Sequence, residues 1–131
     1  LPEAVACAVS SPCYLSFHSA LQMHGLTSQS SRVVQLAVAR RGRVYFVLKS
    51  RVKEFCVGAA RFNNFGRVGG VMLASPEKAF ADCLNLPRAC PRVVLLEAIG
   101  SVDLARVRLL VSKRGLARLA GLLKDVVSKR A

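Results

Sequence analysis

The chain has 131 residues, a length that suits one domain with its own hydrophobic core. Twenty Lys and Arg residues against seven Asp and Glu residues give a formal net charge of +13, so most of the cations must lie on the surface. Five cysteines without C-x-x-C spacing argue against a disulfide-stapled scaffold, and apolar runs shorter than the roughly 20 residues of a membrane span argue against a membrane protein. We therefore expect reduced, packed thiols and a cytoplasmic protein.

The positive charge points first to nucleic acid. A cationic surface attracts a polyanion in a salt-dependent way that does not depend on base sequence. The charge by itself does not distinguish DNA from RNA. It leaves open an acidic protein partner and the Arg-rich surface of a thermophile.

Two short helices are predicted at the N terminus. Pro2 and Glu3 favour the start of the first helix, over residues 2–10. Ser16 is a candidate N-cap for the second helix, and Gly25 is its predicted end. His24 falls in the last turn of this helix, where we expect it to cap or to pack.

The middle of the chain is β-rich. Segments 33–39 and 44–49 flank the short glycine-containing stretch 40–43, which predicts an antiparallel hairpin. Residues 51–73 contain further strand-like pieces that Asn and Gly residues interrupt. These patterns predict a small, mainly antiparallel sheet.

The clearest helix signal follows this sheet. Ser75 is a good N-cap, Pro76 suits the first helical position, and Glu77 places negative charge at the positive end of the helix dipole. Lys78 and Asp82 are four residues apart, so we expect them to form an ion pair. A role for Asp82 in a polar site is the alternative.

Three more helices are predicted over residues 91–100, 101–115 and 116–127 from their apolar periodicity and their Ser, Pro and Gly boundaries. The predicted fold class is therefore α+β. Two N-terminal helices precede a small, mainly antiparallel sheet, and a helical C-terminal half of about four helices follows. We expect residues 1–131 to form a single domain.

No arrangement in the sequence predicts catalysis. Glu77 and Asp82 lie about 140° apart on a helix, so their carboxylates do not converge. A thiol–imidazole pair of Cys13 with His18 or His24 is conceivable, but packing explains these residues equally well. We predict a protein that is not an enzyme and that holds no metal or cofactor.

The candidate nucleic-acid-binding residues form one group around the predicted hairpin. Six cations fall within fourteen residues, namely Arg40, Arg41, Arg43, Lys49, Arg51 and Lys53. Cations on a hairpin are suited to contacts with a phosphate backbone. The alternative is a solvated turn whose charges bind nothing specific.

Two segments carry a resemblance to a known family. Residues 16–27 read SFHSALQMHGLT, and residues 76–84 read PEKAFADCL. The first is similar to the S-x-x-S-A-L-x-x-H-G-L-T helix of AbiEi-type antitoxins, the transcriptional regulators of prokaryotic viral-defence (abortive infection) systems. The second resembles the P-E-K-A-x-x-D-x-L helix of the same family. The order of the two motifs, the β-rich segment between them and the helices that follow also match.

The resemblance implies the C-terminal domain of a regulator in a type IV (AbiE-like) toxin–antitoxin system. Such a regulator binds the DNA of its own promoter through an N-terminal winged helix-turn-helix, which we expect to be absent from this chain. Its C-terminal domain assists repression and antagonises a nucleotidyltransferase-like toxin. The residues that match the motifs are expected to hold the domain together, namely Ser16, Ser19, His24, Lys78 and Asp82. The alternatives are a general basic nucleic-acid-binding structural protein without sequence specificity and a small enzyme.

Overall fold

A computed structural model describes residues 1–130, with side chains through residue 127. The helices are α1 (Pro2–Ser10), α2 (Phe17–Met23), α3 (Pro76–Asn85), α4 (Arg92–Ala98), α5 (Leu104–Leu110) and α6 (Lys113–Arg130). The strands are β1 (Tyr14–Leu15), β2 (Val33–Val38), β3 (Val44–Val47), β4 (Ser50–Cys56), β5 (Phe65–Val68) and β6 (Val71–Ala74). Short 3-10 turns occur at Ala59–Arg61, Pro87–Ala89 and Ile99–Ser101.

The six strands form one mixed sheet in the order β3-β4-β2-β1-β6-β5. Strands β1 and β2, β3 and β4, and β5 and β6 pair antiparallel, whereas β2 with β4 and β1 with β6 pair parallel. The two-residue strand β1 therefore joins the two halves of the sheet.

The predicted architecture is wrong. The sheet is a mixed sheet of six strands instead of a small antiparallel one. Its strand β1 lies between the two N-terminal helices, so helices are spread through the chain. A strand of two residues is too short to show a period of two in the sequence. Parallel pairing joins segments that are far apart in the chain, so local patterns do not reveal it.

The predicted hairpin of residues 33–39 with 44–49 is also wrong. Strands β2 and β3 do not pair, because β4 lies between them. The hairpin is formed by β3 and β4, and its turn residues Leu48 and Lys49 have φ values of 48° and 65°. Two residues with positive φ are typical of a type I′ turn, whose twist matches that of the strands.

Helices cover the sheet on both faces. Helix α1 packs across one face, where it contacts β1, β2, β3, β4 and β6. Helices α2 and α3 pack on the other face and against each other, and α5 and α6 pack on α3. None of the helices in the described part of the chain is long and apolar enough to cross a membrane.

Helix α3 is the central helix of the domain. The predicted start at Ser75 is confirmed, because the Ser75 hydroxyl accepts a hydrogen bond from the backbone N–H of Lys78 at 3.1 Å. All side chains from Lys78 to Leu84 are buried. A charged residue in this helix must therefore find its partner inside the protein.

Candidate nucleic-acid interface

The β3–β4 hairpin places two cations directly opposite two apolar residues. Val44 lies opposite Lys53, and Phe46 lies opposite Arg51. Residues directly opposite each other in an antiparallel pair project from the same face of the sheet. All four side chains therefore share one face, which we call the open face (Val44, Phe46, Arg51 and Lys53).

The apolar residues of the open face are exposed to solvent. Phe46 is 70% exposed and Val44 is 51% exposed. The intervening residue Tyr45 points to the opposite face, where its hydroxyl donates to the carbonyl oxygen of Ala6 in α1 at 3.2 Å. The alternation of β3 thus packs the half-buried Tyr45 against α1 and leaves Phe46 without a covering element.

The open face begins where helix α2 stops covering the sheet. Gln35 of β2 lies beside Lys53 of β4 and is buried. Its amide oxygen accepts a hydrogen bond from the backbone N–H of Ser19 at 3.0 Å, and its amide NH2 group donates to the carbonyl oxygen of Ala89. The ring of Phe17 in α2 contacts that of Phe55 in β4, with centroids 4.8 Å apart. Beyond this contact, Val44 and Phe46 of the hairpin are exposed on this face of the sheet.

Three of the predicted cations line the hairpin. Lys49 lies in its turn, and Arg51 and Lys53 follow at alternate positions, about 7 Å apart along the strand. Lys49 and Arg51 are exposed and form no ion pair with any described residue. The Lys53 ammonium lies 5.1 Å from the ring centroid of Phe55, a cation–π contact that holds it at the margin of the open face.

Two other predicted cations serve a different role. Arg40 and Arg43 both pair with Glu54, at 2.7 Å and 3.0 Å, and the Glu54 side chain is fully buried. Several hydrogen bonds hold the pKa of Glu54 well below its usual range, and the bond from Arg40 contributes most to this lowering. Arg40 also donates to the carbonyl oxygen of Ser10, which places this cluster on the α1 side of the sheet.

The cluster fixes the loop that carries the chain from β2 to β3. This loop crosses the end of β4, and Gly42 passes so close that an added Cβ would lie 2.2 Å from the carbonyl oxygen of Glu54. Arg41 is exposed beside it. The six predicted cations are therefore divided, with three along the hairpin and three at the crossing loop.

The motif residues of α2 connect this helix to its neighbours. Ser16 is the residue before α2, but its hydroxyl donates to Asp82 Oδ2 at 2.7 Å instead of capping the helix. The Ser19 hydroxyl donates to the carbonyl oxygen of Val33 in β2 at 2.9 Å. His24 Nε2 donates to the carbonyl oxygen of Ala74 at 2.7 Å.

Lys78 and Asp82 form the expected ion pair inside the protein. Lys78 Nζ lies 3.3 Å from Asp82 Oδ1 and donates to the carbonyl oxygen of Arg61 at 2.6 Å. Asp82 Oδ2 accepts from the hydroxyls of Tyr14 at 2.8 Å and Ser16 at 2.7 Å. Burial raises the pKa of Asp82, against the lowering effect of Lys78, and burial also raises the pKa of Tyr14. The two motif helices thus meet in one buried polar cluster.

The side chains of Cys13, His18 and His24 form hydrogen bonds with other partners and not with one another. Cys13 Sγ donates to the carbonyl oxygen of Cys7 at 3.5 Å, and His18 Nε2 donates to that of Gln29 at 2.9 Å. The neighbouring Cys13 side chain lowers the pKa of the Cys7 thiol. Within residues 1–130, no group of three or more His, Cys, Asp or Glu side chains is arranged to hold a metal ion.

Val44 and Phe46 are the residues of the open face that are absent from the predicted nucleic-acid-binding residues. Both were predicted only as residues of the strand-like segment 44–49. The sequence feature that could have identified Phe46 is the cation-rich strand that follows it. Arg51 and Lys53 are two residues apart, as are Val44 and Phe46, which is the spacing of side chains on one face of a strand.

Comparisons with known proteins do not place the chain in a family. No protein-family model matches its sequence. A search of curated proteins gives no significant match.

Proposed function

We propose that this chain is a nucleic-acid-binding domain of an AbiEi-like antitoxin regulator, which binds DNA of its own operon through the open face and Lys49. It acts by binding and not by catalysis. The observation that carries the proposal is the exposed Phe46 beside Arg51 and Lys53, on a surface without a covering element.

Charge supports DNA as the ligand. The chain carries a formal net charge of +13, and its hairpin offers cations at three alternate positions. Glu54, the acidic residue of β4, points away from the open face and is already paired with Arg40 and Arg43. A phosphate backbone on this surface therefore meets cations without an adjacent carboxylate from the same strand.

The motif residues support the family part of the proposal. Ser16 and Asp82 come from different motifs and share a hydrogen bond of 2.7 Å. His24 of the first motif bonds Ala74, two residues before the second motif begins. Both motifs thus serve one packed unit, as expected for residues that hold the domain together. A nucleotidyltransferase-like toxin is the second partner that the proposal includes.

The test compares two charge-matched double variants of the full chain by fluorescence anisotropy with labelled DNA. R51A/K53A removes two cations from the hairpin, and R108A/K124A removes two exposed cations from α5 and α6. We expect R51A/K53A to weaken DNA binding by about tenfold and to reduce the slope of log affinity against log salt by about 1.4 to 1.8. R108A/K124A should change both quantities by much less.

Equal effects of the two variants would remove the hairpin as the binding surface. Absence of DNA binding by the unaltered chain at low salt would refute the proposal as a whole. Competition with unrelated DNA separates the two candidate functions. A preference for the promoter DNA of its own operon supports the regulator, and equal competition supports the general basic nucleic-acid-binding protein.

A further inference from the structure

We infer that the open face binds single-stranded nucleic acid, with an unpaired base stacked on the ring of Phe46. This inference rests on the proposed function and names the form of nucleic acid that the same surface takes. In a duplex promoter, such bases exist only where the two strands are separated.

The exposure of Phe46 carries the first step. A phenylalanine ring that is 70% exposed in the middle of a strand leaves most of its apolar surface in water. Every nucleobase has a flat π-face, and stacking on an aromatic side chain does not require a particular base. In a duplex that face is covered by the neighbouring base pairs, so a ring on a sheet surface reaches it only in an unpaired strand.

The positions of the cations carry the second step. Arg51 lies directly across from Phe46, and Lys53 lies across from Val44 on the same face. A base on the Phe46 ring therefore has cations beside it that bind the phosphates of the same strand. An aromatic ring beside cations that contact the phosphates is typical of surfaces that bind single strands.

A polar cleft beside Arg51 carries the third step. Val33 of β2 pairs with Arg51, and the cleft next to it has a volume of about 260 Å³. Its lining includes hydroxyl, amide and guanidinium groups from Ser19, Gln22, Ser31, Arg32 and Ser50, and Glu3 also lines it. The Ser19 and Ser31 hydroxyls already donate to the carbonyl oxygen of Val33. The Arg32 guanidinium and the amide NH2 group of Gln22 are the donors that this cleft offers to an unpaired base edge. The cleft thus offers a place for the base that follows the stacked one.

A second copy of the chain is the competing occupant of this surface. Strand β3 lies at the edge of the sheet, and edge strands with exposed apolar residues are prone to pair with each other. Two copies would bring Lys49, Arg51 and Lys53 of each chain together, and like charges at close range repel. The charge of the surface favours a polyanion over a copy of itself.

The test measures the binding of the full chain to four labelled probes of about 20 nucleotides, a length that exceeds the site of a single sheet surface. The probes are oligo(dT), oligo(rU), a DNA duplex and an abasic strand that keeps the phosphates without bases. F46A should weaken binding to oligo(dT) or oligo(rU) by about 5- to 150-fold and leave duplex and abasic binding within twofold. The ratio of the oligo(dT) and oligo(rU) affinities distinguishes DNA from RNA.

F46W and F46L are the matched controls. The chain has no tryptophan, so F46W introduces the only indole, and its tryptophan fluorescence reports on the proposed stacking position. We expect F46W to retain affinity, with fluorescence that is quenched by oligo(dT) and not by the abasic strand. F46L keeps an apolar side chain without a π-system, and it should lose nearly as much affinity for oligo(dT) or oligo(rU) as F46A does. Circular dichroism checks that each variant is folded.

The outcomes separate this inference from the proposed function. If R51A/K53A weakens binding but F46A does not, the hairpin binds nucleic acid and base stacking is refuted. Duplex binding as tight as single-strand binding, or an indole that oligo(dT) does not quench, also overturns the inference. Sedimentation velocity tests the second copy, since a dimer that F46A dissociates would assign the open face to self-association.

Discussion

Replacing Lys78 with methionine tests the buried polar cluster that joins the two motif helices. Lys78 and Asp82 are each about 1% exposed, so water does not replace a lost partner. K78M removes the 2.6 Å bond to the carbonyl oxygen of Arg61 and the ammonium that lies 3.3 Å from Asp82. Methionine keeps the apolar stem, so the change isolates the charge from the packing.

The expected loss in the free energy of unfolding is about 3–5 kcal/mol at pH 7, the cost of leaving one charge of a buried pair without its partner. For a domain of this size, that loss lowers the melting temperature by about 10–20 °C. Urea titration followed by circular dichroism measures it. K124M, at an exposed lysine of α6, is the control and should stay within about 0.5 kcal/mol of the unaltered chain.

The dependence on pH gives a second readout. Burial already raises the pKa of Asp82 above its ordinary value of 3.8, and K78M removes the cation that opposes this rise. A carboxyl whose folded-state pKa is raised binds a proton more readily in the folded chain, so stability increases as the pH falls through that pKa. The free energy of unfolding that K78M loses relative to the unaltered chain should therefore be smaller at pH 5 than at pH 7.

The double variant K78M/D82N completes the test. The amide introduced by D82N would still offer an oxygen to the hydroxyls of Tyr14 and Ser16, and neither charge would remain. We expect the double variant to be more stable than the sum of the single losses predicts, by about 1–3 kcal/mol. A K78M loss below about 1 kcal/mol, a deficit that does not change with pH, or additive single losses would refute the buried ion pair as the reason for these residues.

Two further predictions concern the crossing loop. E54Q should lower the free energy of unfolding by about 1.5–3 kcal/mol at pH 7, because the amide replaces a charged acceptor of Arg40 and Arg43. The pKa of Glu54 is depressed in the folded chain, so its stabilisation is present above the ordinary value of 4.5 and the gap between the two proteins should narrow as the pH falls below it. G42A should lower the free energy of unfolding by about 1–3 kcal/mol, because its Cβ would lie 2.2 Å from the Glu54 carbonyl oxygen. The control G66A adds a Cβ with no atom within 4 Å and should lower it less. Urea titration measures each variant, and equal losses for G42A and G66A would contradict the close crossing.

Local sequence patterns determined the start of α3 and one buried contact, whereas the predicted boundary between residues 115 and 116 lies inside α6. Ser75, Pro76 and Glu77 specify the start of α3 because capping, a fixed φ and the helix dipole act within one turn. Lys78 and Asp82 pair as predicted because a spacing of four residues places both on one side of a helix. The high positive charge likewise follows from composition, and it requires a cationic surface.

Tertiary structure alone decided which residues form the open face. The insertion of β4 between β2 and β3 depends on parallel pairing between segments that are distant in the chain, and neither segment carries a local mark of its partner. Because of that insertion, Arg40 and Arg43 form ion pairs with Glu54, and Phe46 lies opposite Arg51. Strand order is set by the free energy of the whole core, so the same cations acquire different roles only when the chain has folded.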